Sequence, residues 1–437
     1  MDAFYASVEL LRYPQLRGLP VVIGGGRRPQ DEALMQWAAE ALPDDDRTPD
    51  TGHGHPDHHP DRHPAPRPEP AAWAQRLRRI PPQAFPRLRD YTGRGVITTA
   101  TYAARAFGVG SGQGLMKAAR LCPDAILLPV DFDEYRRYSR AFKAVITDIA
   151  PLMEDRGVDE VYIDFTHVPG GQREGGRVLA RLIQKSIAEA TGLTCSVGVA
   201  PNKLLAKMAS EFHKPNGIAV LHAHELQTRI WPLPVRKING IGPKAEGRLA
   251  ELGVHTIGEL AARPVDGLRE RFGPTQGQWL HDAAWGRDDR PVVTHSEPVS
   301  LSRETTFERD LHAVRDRAAL GGVFTRLCEQ LADDLRRKGY AGRTVGIKLR
   351  YADFKVVTRD HRLTEPVQTA HALRQAAGQA LRRAPLERPL RLLGVRVGGL
   401  CRADDPALAP QMGAGQNLKK KMPLPHSPPE QQALFFE

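Results

Sequence analysis

Periodic apolar residues divide the chain into predicted strands and helices. Residues 157–165 read GVDEVYIDF, and from position 161 onward apolar side chains alternate with polar ones, as in a strand with one buried face. Residues 131–149 carry an apolar stripe at the helical period, and residues 176–190 carry another that includes Val178 and Leu182. This mixture of strands and helices predicts an α+β domain.

Two adjacent carboxylates, Asp159 and Glu160, open the predicted strand. Carboxylate oxygens are hard ligands that suit Mg²⁺. An acidic turn without a metal is the simpler interpretation of an isolated Asp-Glu pair. The pair by itself therefore leaves both interpretations open, and the rest of the chain has to decide between them.

A glycine turn, INGIGPK at residues 238–244, lies between two segments with helical character. Gly240 and Gly242 would let backbone N–H groups approach a phosphate closely, and the start of the next helix favours anions. Lys244 adds a positive charge. This context favours a DNA-backbone-binding helix–hairpin–helix over a plain turn.

Residues 299–400 read as a separate unit of strands and helices. Within it, residues 345–351 alternate between apolar side chains and the basic Lys348 and Arg350. A sheet with one apolar and one basic face suits contact with a phosphate backbone. A solvated charged face without a ligand fits this element equally well.

Composition indicates the number of domains, the kind of partner and the location to expect. The chain has 437 residues and a formal net charge of +11, which suggests two to four domains and favours nucleic acid over a membrane as partner. Its four cysteines are far apart in sequence and form no C-x-x-C pair, so a disulfide framework or a zinc site is not expected. No apolar run is long enough to span a membrane, and a cytoplasmic location is expected.

Two segments have compositions that predict disorder. Residues 43–70 are dominated by Pro, Asp and His, and incidental or absent metal binding is favoured there over a functional metal site. Residues 402–437 form a flexible tail that ends in QQALFFE. An apolar cluster at the end of such a tail, which includes Leu434 and Phe435 after Gln431, predicts a peptide that binds a groove of another protein.

Six stretches together resemble the Y-family of DNA polymerases, and within it the bacterial DNA polymerase IV branch. They are residues 1–9 (MDAFYASVE), 98–109 (TTATYAARAFGV), 159–165 (DEVYIDF), 196–217 (SVGVAPNKLLAKMASEFHKPNG), 238–260 and 302–311 (SRETTFERDL). Their number and order make the resemblance specific, and it covers nearly the whole chain except the insertion and the tail.

The resemblance implies a multidomain α+β right hand. The expected parts are a palm (1–10 and 123–212), small fingers (11–122), a thumb with the helix–hairpin–helix (213–293), a little finger (296–401) and the tail. The implied activity is error-prone, template-directed DNA synthesis in translesion synthesis and DNA repair, by a monomer. The implied partners are primer–template DNA, deoxynucleoside triphosphates and, through the tail peptide, a sliding clamp.

The resemblance also implies roles for particular residues. Asp159 and Glu160 would be catalytic and would bind two Mg²⁺ ions, together with the backbone carbonyl of Met1. The implied nucleotide-binding residues are Phe4, Tyr5 (the steric gate against a ribose), Tyr102, Arg105 and Lys203. Cationic side chains suit a triphosphate because they neutralise its charge.

The sequence departs from the family pattern in two places. Gly157 stands where the family usually has serine, a change that we expect to be tolerated. The family's first motif runs through an apolar strand into Asp-x-Asp, and Met1 matches the middle residue, so that Asp2 matches the second Asp. We therefore expect the true start to lie upstream of Met1, because the first Asp would otherwise be missing and activity would fall by orders of magnitude.

Three functions remain open at this point. The first is an active, damage-tolerant DNA polymerase. The second is a catalytically impaired relative that binds DNA and the clamp. The third is an unrelated basic helix–hairpin–helix protein in which the acidic strand is structural, and it is disfavoured because a mere binding protein needs neither a triphosphate grip nor a sugar gate.

Overall fold

The computed structural model describes residues 1–26, 75 and 77–404. These residues belong to two compact units, which divide between His295 and Ser296. The insertion predicted at residues 43–70 and the tail peptide with Gln431, Leu434 and Phe435 lie outside the described residues. The finer division of the first unit into palm, fingers and thumb stays a prediction.

The first part of the first unit contains a three-stranded sheet. Its elements in chain order are α1 (Phe4–Arg12), β1 (Val21–Gly24), β2 (Ile97–Ala100), α2 (Tyr102–Arg105), α3 (Leu115–Leu121), β3 (Ile126–Leu128) and α4 (Phe132–Ile149). Strand β1 lies in the middle, antiparallel to β2 and parallel to β3. All four residues of β1 are buried, as expected of a strand covered on both faces.

Two separate strand pairs follow. Their elements are β4 (Met153–Asp155), β5 (Val161–Ile163), α5 (Arg177–Thr191), β6 (Val197–Val199), α6 (Lys203–Ala209) and β7 (Ile218–Val220). Strand β5 pairs antiparallel with β4, and β6 pairs parallel with β7. The strand predicted at β5 is present, but its predicted buried face is not. All three of its residues are half-buried, because within the described residues only one edge of β5 is paired.

Helices α4 and α5 pack against the same apolar core. In α5 the buried stripe contains Leu179, Ile183 and Ile187, which are four residues apart and therefore share one face. Val178 and Leu182 were predicted on this face, and that prediction was wrong, because both side chains are exposed. Each precedes a stripe residue by one position and is rotated by about 100° around the helix axis.

The first unit ends with four helices around their own core. They are α7 (Pro243–Ala250), α8 (Ile257–Ala261), α9 (Val265–Phe272) and α10 (Pro274–Ala284). The predicted glycine turn lies directly before α7, which begins with a proline at its first position, where the missing N–H costs nothing. Helix α8 begins with a capping box between Thr256 and Glu259.

The second unit is a four-stranded antiparallel sheet with two helices. Its elements are β8 (Ser300–Leu311), α11 (Arg317–Lys338), β9 (Tyr340–Tyr351), β10 (Val356–Val367), α12 (Ala370–Leu381) and β11 (Leu390–Arg402). The strand order is β10-β9-β11-β8. Val345, Ile347 and Leu349 of β9 are buried in the core with residues of both helices, as their alternation predicted. Nowhere in the described ranges is a helix both long and apolar enough to cross a membrane.

Short turns connect these elements. They are 3₁₀ turns at Pro14–Leu16, Pro82–Ala84, Leu88–Asp90, Arg173–Gly176, Ala223–Glu225 and Val235–Lys237, and a π-helical turn at Leu226–Ile230.

Gly198 in β6 lies so close to α6 that a methyl group has no room. A Cβ added at Gly198 would lie 2.1 Å from the carbonyl oxygen of Ala206 and 2.3 Å from the amide nitrogen of Ser210. We expect Gly198→Ala to lower the free energy of unfolding by about 3 kcal/mol or more, because backbone must move. Urea denaturation measures the change.

Gly267→Ala in α9 is the matched control. A Cβ added there meets nothing within 4 Å, and alanine is favoured over glycine in a helix by about 0.5–1 kcal/mol. This variant should therefore be slightly more stable than the parent. Equal stabilities for the two variants would contradict the close packing of β6 on α6.

Candidate active site

Asp159 and Glu160 lie at a cavity of about 250 Å³ in the first unit, called the Asp159 cavity below. Its lining residues are Met1, Ala3, Phe4, Tyr5, Thr98, Thr99, Tyr102, Arg105, Ser111, Asp159, Glu160 and Lys214. The structure thus gathers every predicted catalytic, metal-binding and nucleotide-binding residue except Lys203. These residues come from α1, from the segment around β2 and α2, and from the segment before β5.

The two carboxylates have different surroundings. Gly157, two residues before Asp159, has a φ of 145°, a conformation that glycine adopts readily and other residues avoid. The amino group of Met1 donates to the carbonyl oxygen of Asp159 at 2.8 Å. The side chain of Glu160 forms an ion pair with Lys207 of α6. Burial alone would raise the pKa of Glu160, but the hydrogen bond from Lys207 and the charges of Lys207, the Met1 amino group and Lys214 together outweigh burial and hold that pKa below its ordinary value.

Aromatic rings form one wall of the Asp159 cavity. The ring of Tyr5 lies 4.4 Å from that of Tyr135, tilted by 32°, and 6.0 Å from the ring of Phe132, edge-on. Phe4 is buried and packs edge-on against Phe142 at 6.2 Å. Burial and, to a smaller extent, the charge of Asp159 raise the pKa of Tyr5, so its hydroxyl group stays neutral. Phe4 and Tyr5, which the resemblance assigns to nucleotide binding, thus both lie at this wall of the cavity.

Tyr102 and Arg105 lie on the single turn of α2. The turn starts at Thr101, whose side-chain oxygen accepts from the amide of Ala104 at 3.4 Å and also bonds two backbone groups near β1. The guanidinium group of Arg105 lies 4.9 Å from the centre of the Tyr102 ring, and its Nε donates to the carbonyl oxygen of Ala100 at 3.0 Å. Both side chains are therefore held at the cavity by the end of β2.

Lys203 does not line the Asp159 cavity. It lines a neighbouring cavity of about 730 Å³, which Asp159 and Glu160 also line. Its Nζ donates to Oε2 of Glu154 at 2.7 Å and to the carbonyl oxygen of Pro291 at 2.7 Å, and about nine-tenths of its side chain is buried. Lys203 thus joins α6 to β4 and to residues 291–293, and the role in nucleotide binding that the resemblance implies for it stays a prediction.

Lys214 occupies the cavity instead, beside Tyr102 and Arg105. Its Nζ donates to Glu211 at 2.5 Å. Burial alone would lower the pKa of Lys214, but the hydrogen bond to Glu211 and the nearby charges of Glu211 and Asp2 together outweigh burial and raise that pKa, so the side chain is cationic at neutral pH. The available signal was the KPNG turn at residues 214–217, because a Pro-Asn-Gly sequence reverses the chain and can return the preceding lysine toward the site.

The donor set suits a divalent cation of the magnesium type. Asp2 is outside the cavity lining, and its carboxylate accepts from Ser196 Oγ at 2.7 Å and from the amide of Asn216 at 2.8 Å. Across the described residues, no group of three or more His, Cys, Asp or Glu side chains could hold a metal. Asp159 and Glu160 are the two carboxylates that line the Asp159 cavity. Mg²⁺ commonly binds through one or two carboxylates together with water and substrate phosphates.

The residues predicted to contact DNA in the first unit surround the turn before α7. Gly240 has a φ of 114°, and a Cβ there would lie 2.9 Å from the Trp279 ring, so both the conformation and the packing require glycine. Gly242 is the N-cap of α7, whose first N–H groups have no partner within the helix. Lys244 is exposed in the first turn of this helix. A contact with DNA at this turn stays a prediction.

The open face of the sheet in the second unit carries charges of both signs. Lys348 donates to Glu304 at 2.8 Å, and Arg396 donates to both oxygens of Asp360 at 2.9 Å. Arg350 lies on the same face as Lys348, two residues further along β9. The face is therefore not uniformly basic, because carboxylates on β8 and β10 neutralise part of it.

Comparison of the sequence with family models gives three matches. Residues 1–41 and 69–211 match the impB/mucB/samB family, and residues 298–412 match the C-terminal domain of the same family. Residues 224–254 match the HHH motif of this family, which coincides with the glycine turn and the start of α7.

Relatives and solved structures cover almost the whole chain. A protein named DNA polymerase IV from Xanthomonas axonopodis pv. citri is 38% identical over 414 residues, which is 94% of this chain and 96% of that protein. A Y-family DNA polymerase chimera has the same fold, with a TM-score of 0.68, 22% identity and coverage of 92% of this chain and 98% of its own. An insertion ternary complex of Dbh DNA polymerase gives a TM-score of 0.54 at 22% identity, covering 92% and 97% of the two chains.

Lys203→Met would leave the Glu154 carboxylate buried without its lysine partner. We expect a loss of about 3 kcal/mol in the free energy of unfolding, because breaking a buried ion pair costs about 3–5 kcal/mol and the pair of Glu154 with Arg156 at 3.4 Å remains. Lys185→Met is the control, since Lys185 forms an exposed pair with Glu189 at 3.7 Å, and it should change stability by less than about 1 kcal/mol. Urea denaturation at pH 7 compares the two variants.

The same pair predicts a pH dependence. Burial alone would raise the pKa of Glu154, but the hydrogen bonds from Lys203 and from the amide of Val293, with the charges of Lys203 and Arg156, together outweigh burial, and the pKa is lowered in the folded state. The resulting stability is present above the pKa of the unfolded chain and is lost as the pH falls through the folded pKa. The stability difference between the parent and Glu154→Gln should therefore shrink on acidification, and a difference that grows would contradict the ion pair.

Proposed function

The chain belongs to the impB/mucB/samB family, the Y-family DNA polymerases, and we propose that it extends a primer on damaged DNA templates by template-directed synthesis. The observation that carries the proposal is the Asp159 cavity, where two carboxylates, an aromatic wall and two cationic side chains surround one space. The reaction joins the primer 3′-hydroxyl to the α-phosphate of a deoxynucleoside triphosphate and releases pyrophosphate.

Arg105 and Lys214 grip the triphosphate in this proposal. Both are cationic, both line the cavity with Tyr102, and charge-assisted hydrogen bonds to phosphate are stronger than neutral ones. Lys214 takes the role that the sequence suggested for Lys203, since Lys203 is occupied by Glu154 and Pro291. As negative charge moves onto the leaving phosphate, these cations stabilise it without reorganisation.

Tyr5 acts as the sugar gate. Its ring is supported by Tyr135, whose hydroxyl group donates to Glu9 at 2.7 Å, and Phe4 anchors the start of α1 in the core behind it. A ring held from behind cannot move aside easily. A ribose 2′-hydroxyl over Tyr5 would therefore meet a steric barrier that a deoxyribose does not.

Asp159 and Glu160 would hold Mg²⁺, with the backbone carbonyl of Met1 as a further candidate because Met1 lines the same cavity. When bound, two such ions supply charge stabilisation for the attacking and leaving oxygens. Glu160 can take this role when Lys207 releases it, and a bound cation would then take the place of Lys207 in favouring the ionised carboxylate.

Primer–template DNA is the proposed macromolecular partner. The backbone of the duplex would bind at Gly240, Gly242 and Lys244. The N–H groups at the start of α7 and the positive charge of Lys244 lie close together there. Lys348 and Arg350 would contact phosphates from the second unit. The tail peptide, outside the described residues, would tether the monomeric enzyme to a sliding clamp and raise its effective concentration at the primer.

Asp159→Ala should abolish primer extension with Mg²⁺ and deoxynucleoside triphosphates. Loss of a metal carboxylate is expected to slow nucleotidyl transfer by orders of magnitude. Asp148→Ala is the control, because Asp148 is an exposed carboxylate on α4, and it should keep the parent rate. Gel analysis of a labelled primer measures both. Failure of the parent protein to extend the primer, both as it stands and with residues before Met1 that supply the family's first Asp, would remove the proposal, and so would extension by the Asp159→Ala variant.

Lys214→Ala should raise the KM for the incoming nucleotide by about 10–100-fold, since a hydrogen bond to a charged group contributes about 1.5–3 kcal/mol. Lys117→Ala, which removes an exposed lysine of α3, should leave the KM unchanged. Lys203→Met, assayed at a temperature where it is folded, should also leave it unchanged. An increase in KM for Lys203→Met but not for Lys214→Ala would restore the role that the sequence suggested for Lys203.

A further inference from the structure

The loop that carries the two carboxylates of the Asp159 cavity is short. It comprises residues 156–160 and joins β4 to β5. At its base, the amide of Arg156 donates to the carbonyl oxygen of Glu160 at 3.0 Å. Because a loop of this length cannot form a core of its own, the positions of both carboxylates depend on the groups that hold the loop from outside.

Gly157 is the residue of this loop with the greatest conformational freedom. Its φ of 145° lies in the region that side chains disfavour. A Cβ added there would meet nothing within 4 Å, so the conformation and not the packing calls for glycine. Glycine also loses more conformational entropy on folding than any other residue, and this point of the loop therefore needs a restraint from elsewhere in the structure.

Lys143 of α4 supplies that restraint. Its Nζ donates to the carbonyl oxygen of Gly157 at 2.6 Å and to Oδ2 of Asp155 at 2.8 Å. The other oxygen of Asp155, Oδ1, accepts from the amide of Gly157 at 3.0 Å. The ammonium group thus bonds one backbone group of Gly157 directly and holds the carboxylate that bonds the other. Lys143, Asp155 and Gly157 are called the Gly157 clamp below.

The clamp is attached to a rigid part of the first unit. Lys143 lies in the second half of the 18-residue helix α4, whose residues Phe142 and Ile146 are buried in the apolar core. Only 15% of the Lys143 side chain is exposed. On the other side of Gly157, Val158 packs against the same core. The loop is therefore held at two consecutive residues, immediately before Asp159.

We infer that Lys143 is a positioning residue for Asp159. The inference rests on the proposed function, in which the Asp159 carboxylate binds Mg²⁺. Side chains that bind a metal or substrate must be held to within about 0.5 Å of the productive geometry, and a misplacement of about 1 Å can slow a reaction by about 100-fold. Lys143 fixes Gly157, two residues before Asp159, and so sets the direction in which the chain enters the site.

Lys143 contributes little to the stability of the whole fold. The side chain of its partner Asp155 is 59% exposed, and ion pairs that are open to solvent are weak because water screens them. A chain without the Lys143 ammonium group should therefore stay folded. The effect of the clamp on the loop can then be measured in the native state.

The test compares Lys143→Met in the full chain with Arg140→Met, which removes an exposed cation from the same helix. Hydrogen exchange at the amides of residues 156–160 should be about fivefold faster or more in Lys143→Met, because a hydrogen bond that holds the loop is lost. Arg140→Met should exchange like the parent. Lys143→Arg should restore slow exchange, since a guanidinium group can also donate to both acceptors.

A titration with Mn²⁺, which suits carboxylate ligands as Mg²⁺ does, measures the metal site without DNA or nucleotide. The free ion is followed by its electron paramagnetic resonance signal, and binding that is lost in Asp159→Ala identifies the site. Lys143→Met should raise the Kd of this site by about threefold or more, because its carboxylate is less well placed. Arg140→Met should leave the Kd unchanged.

Primer extension provides the third measurement. Lys143→Met should lower kcat by about tenfold or more and leave the KM for the nucleotide within about twofold of the parent value, because Arg105 and Lys214 are intact. Loss of nucleotide affinity with an unchanged kcat would overturn the positioning role. Failure of the parent to extend primers would count against the proposed function, and hydrogen exchange and Mn²⁺ binding would still decide the role of Lys143.

Two further results would overturn the inference. The first is equal exchange of the loop and equal Mn²⁺ affinity in the parent, Lys143→Met and Arg140→Met. The second is exchange in Lys143→Met that is faster by the same factor throughout α4, β4 and β5, because that pattern marks a loss of global stability and not a release of the loop.

Discussion

The buried carboxylate of Asp2 joins the segments on which the Asp159 cavity depends. Its oxygens accept from the side chain of Ser196 and from the amide of Asn216, and only 2% of the residue is exposed. A buried carboxylate is stable only when its oxygens are hydrogen-bonded. Because α1 starts two residues after Asp2 and Lys214 lies two residues before Asn216, these bonds place Tyr5 and Lys214 at the same cavity.

Helix α6 shows how one element divides structural and chemical tasks. Lys203 and Lys207 are four residues apart and therefore lie on one face of the helix. Lys203 neutralises the buried Glu154 on β4, whereas Lys207 pairs with Glu160 at the start of β5. The first pair is enclosed and holds residues 291–293 against α6 and β4, while the second is partly exposed, which suits the proposed release of Glu160 to a cation.

A second cavity, of about 730 Å³, shares lining residues with the Asp159 cavity. Met1, Asp159 and Glu160 line both, so the carboxylates stand at the start of β5, which pairs with β4. The stability of this strand pair and the positions of the reactive groups are therefore coupled through the backbone of residues 159–163.

The sequence by itself determined the features that depend on near neighbours: the helices of α4 and α5, the short strand β5, the glycine turn at Gly240 and the aromatic pair at the start of α1. Period, capping and turn chemistry act over a few residues, so they can be recognised without a fold. The motifs also predicted correctly that Tyr102 and Arg105 meet the carboxylates in one cavity. Tertiary structure alone decided which lysine joins them, because the partners of Lys203, Glu154 and Pro291, are 49 and 88 residues away. It also decided that β5 is half-buried, because the pairing of a strand edge depends on segments far away in the sequence.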